Sequence, residues 1–85
     1  MQIDELRSVV GANIRRRRVE CKLSQRALGE LVELSDAQIN RIEKGLCSTP
    51  IDFLAKISIP LKWEPAFFLT PSAVEIPKKK LRQTT

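Results

Sequence analysis

The chain has 85 residues, enough for one domain, with 42% apolar and 29% charged residues in the usual globular balance. Its net charge of +5 suits a binder of polyanions, a footprint that ribosomal and membrane-surface proteins share. It has no His and only two cysteines, Cys21 and Cys47, far apart in sequence. That excludes a Cys–His nucleophile pair and leaves no clustered metal ligands, so neither an enzyme nor a metal or other cofactor is expected.

No apolar run approaches the ~18 residues of a membrane helix, so no membrane partner is expected. The first residues carry Asp4 and Glu5 and no apolar stretch of the signal-peptide kind. A cytoplasmic protein is the default expectation. A core this small is marginal by itself, which makes dimerisation an expectation too.

Ile3, Leu6, Val10 and Ile14 recur at three- and four-residue steps. This predicts an amphipathic helix from about Ile3 to Glu20 or Cys21. Asp4 and Glu5 near its start and Arg15 to Arg18 near its end suit the helix dipole. Gly11 weakens it slightly. Successive residues point about 100° apart, so the four arginines serve different sides. Arg18 continues the apolar stripe, and a charge there needs a partner. Cys21 lies on the same stripe and reads as a small packed apolar residue. Cys47 falls in a loop, either packed, exposed or reactive.

Ser24 is an N-cap for a second helix with Ala27, Leu28, Leu31 and Val32 on its apolar side. Glu33-Leu34-Ser35 forms a tight turn. Ser35 caps a third helix from about Asp36 to Lys44, and Gly45 stops it in the left-handed region. Ile39, Ile42 and the stem of Glu43 face inward. Asp36, Ala37, Asn40, Arg41 and Lys44 lie on the opposite side, with Gln38 at the border.

Leu46-Cys47-Ser48 is a loop. Thr49 as N-cap and Pro50 at the first position predict a fourth helix with Phe53, Leu54 and Ile57 inward. Pro60 is expected to stop it early. Glu64-Pro65 opens a short last helix, Pro65 to about Leu69. The expected folded domain is residues 1–69. Residues 70–85, with Lys78, Lys79, Lys80 and Arg82, have little to bury and are expected to form a flexible basic tail. Its lysines either add non-specific attraction to a polyanion or are simply solvated, and Ile76 or Leu81 offers a partner an anchor.

Ile14-Arg15, Arg18, Leu23-Ser24-Gln25, Leu28, Val32, Leu34-Ser35, Ile39, Ile42-Glu43 and Gly45 together resemble the lambda repressor/Cro-type, or XRE-like, helix-turn-helix family. The resemblance covers roughly residues 10–69. It implies an all-α, five-helix lambda-repressor-like fold. Departures from the family pattern are Glu33 and Lys22, where Gly is frequent, and Gly29, where Ala is usual.

The resemblance further implies that Arg18 pairs with Glu43 and clamps the first helix to the third. It puts Gln25 against the DNA backbone, with Arg17 the best phosphate contact of its run and Ser35 beside them. The last helix and its approaches commonly form the two-fold contact in this family. Trp63, Phe67 and Phe68 are therefore dimer-interface candidates, against the alternative that all three close the monomer's own core.

Read chemically, the outer side of the third helix suits a major groove. Arg41 offers two donors to guanine, Asp36 accepts from cytosine N4, and Ala37 touches a thymine methyl. Asn40 and Lys44 reach the backbone or a peripheral base edge, and Gln38 does either. The expectation is a sequence-specific, double-stranded DNA-binding transcriptional regulator, nucleoid-associated, binding a palindromic operator as a homodimer and acting as a repressor or an activator. The alternative is an antitoxin-type protein that holds a partner toxin, for which the tail is available, and regulates its own promoter.

Overall fold

The computed structural model describes residues 2–71. They form five helices and no strand: α1 (Ile3–Glu20), α2 (Gln25–Val32), α3 (Asp36–Glu43), α4 (Ile51–Leu61) and α5 (Pro65–Phe68). The all-α expectation and the first three helix boundaries hold to within a residue. Among the described residues no helix is long and apolar enough to cross a membrane.

The core is a single cluster to which every helix contributes. Val10 and Ile14 come from α1, Leu28 and Val32 from α2, and Ile39 and Ile42 from α3. Phe53, Leu54, Ile57 and Leu61 come from α4, and Phe68 from α5. Cys21, Cys47 and Trp63 pack partly buried against it, the two thiols free. Leu31, expected on the inner side of α2, is 60% exposed. A helix of two turns presents only a narrow stripe to a neighbour, and Leu28 and Val32 fill it. Ile3 and Leu6 are likewise exposed, because the first turns of α1 overhang the core that begins at Val10.

Two features of α4 differ from expectation. It starts at Ile51 with Pro50 rather than Thr49 at the N-cap, and the buried Thr49 hydroxyl has no hydrogen-bond partner among the described residues. It also runs through Pro60 to Leu61, ending where Lys62 turns left-handed at φ 58°. A proline this close to the end removes only one helical bond, that to Lys56, an exposed residue. Fully buried Leu61 holds the last turn in place, and Arg17 Nε donates to its carbonyl at 2.7 Å. A cation at a helix C-terminus is electrostatically favourable.

The short α5 is tied to the middle of α1 by Asn13. Buried, its Nδ2 donates to the carbonyls of Phe68 and Thr70, both at 2.9 Å. Those carbonyls have no helical partner at the end of α5, so Asn13 satisfies them from another helix. The ties reach Thr70. Residues 72–85, where the flexible basic tail was expected, lie outside the described residues.

Candidate nucleic-acid interface

Helices α2 and α3 are joined by a three-residue turn whose geometry is set locally. Ser24 caps α2 by accepting from Ala27 N at 2.9 Å. Glu33 ends it at φ 64°, the left-handed conformation that the family's frequent glycine adopts without strain. The turn then passes close over Gly29, where an added Cβ would lie 2.3 Å from the Leu34 carbonyl oxygen. In this chain an alanine there would need the turn to shift away.

Ser35 caps α3. Its Oγ accepts from Gln38 N at 3.1 Å, and Gln38 Oε1 accepts in return from Ser35 N at 2.9 Å. This reciprocal box is signalled by Ser-x-x-Gln in the sequence, a role for Gln38 beyond its place at the border of two faces. At the other end Gly45 (φ 73°) closes the helix, with Gly45 N bonded to Ile42 O and Leu46 N to Arg41 O, each at 3.0 Å. This is the paired-bond stop that a left-handed glycine permits.

Helix α3 is held from behind by charge. Arg18 Nε meets Glu43 Oε2 at 2.6 Å, and Arg18 Nη2 meets Glu43 Oε1 at 3.0 Å. Arg18 Nη1 also donates to the Leu23 carbonyl at 2.7 Å. Both side chains are buried, so the whole Glu43 carboxylate, and not only its stem, points inward. Gln25 Nε2 donates to the same Oε1 at 3.1 Å. That fixes which way the Gln25 amide faces, and its oxygen lies 3.5 Å from Asn40 Nδ2. One buried ion pair thus orients, through Gln25, a side chain on the outer part of α3.

The packing of α1 on α3 depends on Gly11, whose low helix propensity is only part of its role. A Cβ there would lie 2.3 Å from the Ile42 carbonyl oxygen and 2.6 Å from that of Glu43. The signal was available: a glycine on the stripe side of a predicted helix often marks a close approach.

The outward side of α3 presents Asp36, Ala37, Gln38, Arg41 and Lys44, all exposed. Asn40 is half-buried beside Gln25. Ser35 is exposed at the start of the helix, and Gln25 is partly buried. Arg17 does not join them. Its guanidinium bonds the Leu61 carbonyl and Glu20 Oε1 (3.0 Å) and stacks 5.3 Å from the Trp63 ring centre. These contacts cap α4 and support the aromatic cluster.

Of the three aromatics assigned to a dimer contact, Phe68 is fully buried inside the monomer and cannot serve. Bulk and hydrophobicity draw it into the gap that five short helices leave. Trp63 is half-buried, its ring 5.2 Å from that of Phe68 and 5.5 Å from that of Phe67. Phe67 remains 45% exposed.

Comparisons with known proteins agree with this geometry. The helix-turn-helix domain family matches residues 9–58. No curated protein matches the chain in sequence. The clp gene regulator ClgR from C. glutamicum is 25% identical and superposes with a TM-score of 0.74 over 85% of this chain and 92% of its own. The hypothetical transcription factor NHTF from Neisseria is 22% identical, with a TM-score of 0.75 over 98% of this chain and 90% of its own. With its motif residues at the helix positions described above, the chain belongs to the helix-turn-helix domain family, in an all-α form.

Proposed function

We propose that the chain is a sequence-specific, double-stranded DNA-binding transcriptional regulator with α3 as its reading helix. The observation that carries this is the division of α3. Ile39, Ile42 and Glu43 are locked inward, while Asp36, Ala37, Arg41 and Lys44 stand exposed on the side that a major groove admits. The net charge of +5 and the regulators among its structural neighbours support the same reading.

In this reading Arg41 donates to guanine, Asp36 accepts from cytosine, and Ala37 meets a thymine methyl. Asn40 reads from the flank. Gln25 and Lys44 hold the backbone and set the register, with Ser35 closing the cap beside them. The regulator acts as a homodimer on a palindromic operator, its two reading helices about 34 Å apart. Exposed Phe67, with Trp63 behind it, belongs to the dimer contact. The test is selection of bound duplexes from a random double-stranded DNA library. A palindromic motif is the expected result, and recovery of no motif at all would remove the regulator reading.

A further inference from the structure

The capping of α3 decides what Gln38 can read. A glutamine usually recognises adenine by accepting from N6 and donating to N7 at once. Here the backbone N–H of Ser35, which can only donate, lies 2.9 Å from Gln38 Oε1. The oxygen must therefore face Ser35, so the orientation of this amide is dictated by chemistry. The Ser35 hydroxyl occupies the same oxygen at 3.2 Å. Both lone pairs are engaged. The side chain is exposed, and its Nε2 donates to nothing among the described residues. Arg41, one turn further on and bordering the same surface groove, is a donor without acceptor capacity.

We propose that Gln38 is a specificity residue that can only donate, selecting guanine or thymine over adenine at the base pair it faces. Guanine offers O6 and N7 to such a donor and thymine offers O4. Adenine still offers N7 to one N–H, but where guanine sets its O6 acceptor it sets the N6 amino group, a donor against a donor, and cytosine offers only its N4 donor. With Arg41 beside it, the helix presents two neighbouring donors, so one strand of the half-site carries acceptor-rich bases at adjacent positions. The proposal rests on α3 being the reading helix.

The experiment is the same random-library selection, run with the full chain and with Gln38→Glu and Gln38→Met, followed by titration of duplexes differing at single positions. Glutamate keeps an oxygen for the Ser35 N–H but has no amide donor. Methionine has no donor and no charge, and so separates lost readout from phosphate repulsion. The wild type is expected to favour guanine or thymine over adenine by about tenfold at one position. Both variants are expected to reduce that preference to less than about twofold, and Gln38→Glu to melt with the wild type. Selection of adenine at a position that both variants lose would overturn the proposal. So would unchanged motifs in both variants, or a uniform loss of affinity with base preferences intact. If the wild type selects no duplex, the regulator reading itself fails.

Discussion

Arg18 and Glu43 meet at two points, 2.6 and 3.0 Å, in the buried seam between α1 and α3, and Gln25 shares the Glu43 oxygen at 3.1 Å. Removing one member of such a pair strands the other charge away from water, typically at about 3–5 kcal/mol. Glu43→Ala is therefore expected to lower the melting temperature by roughly 12 °C or more. A melting curve matching the wild type would show that the pair does not hold α3.

Gly11→Ala tests the close approach of α1 to α3. Helix propensity alone favours alanine by about 1 kcal/mol. The new methyl would collide with backbone carbonyls that cannot rotate aside, 2.3 and 2.6 Å away. Overpacking of this kind costs about 1–3 kcal/mol, and against backbone the upper end is expected. Urea denaturation should show a net loss of stability, and a gain would mean that the helices sit further apart than described.

Asn13→Ala leaves the Phe68 and Thr70 carbonyls without their buried donor. The expected loss is about 1–3 kcal/mol. Because the bonds tie down α5, the change should also raise amide hydrogen exchange around residues 66–70 more than in α2 or α3. Equal protection in all helices would argue against this role.

Glu33→Gly should do the opposite and stabilise the protein. Glu33 sits at φ 64°, which disfavours a side chain by about 1 kcal/mol or more. The contact it would lose, Lys56 Nζ to Glu33 Oε1 at 3.8 Å, joins two exposed side chains and contributes little. A rise of a few degrees in melting temperature is expected; a fall would assign that contact more weight than surface pairs normally carry.

On DNA, Arg41→Ala and Lys44→Ala should differ in kind. The first is expected to weaken binding by about 1–3 kcal/mol and relax preference at one base pair. The second should weaken all sequences alike and lower the salt slope by about 1. Titrations of matched and mismatched duplexes at several salt concentrations separate the two. Identical behaviour of both variants would leave α3 without a base-reading side.

What the sequence determined by itself was local. The period of Val10 and Ile14, the caps at Ser24 and Ser35 and the stop at Gly45 depend on neighbours within a turn or two, so the helices and the outward side of α3 were legible. The pairing of Arg18 with Glu43 was legible too, because a charge on an apolar stripe demands a partner and the family resemblance named one. Only the tertiary structure decided the rest. Gly11 looked like a weakness until the carbonyls of α3 were placed against it. Arg17 looked free until the end of α4 arrived beside it, and Phe68 looked surplus until the core had a gap of its size. Each outcome depends on atoms far apart in sequence meeting at contact distance, and side-chain periodicity carries no information about which those atoms are.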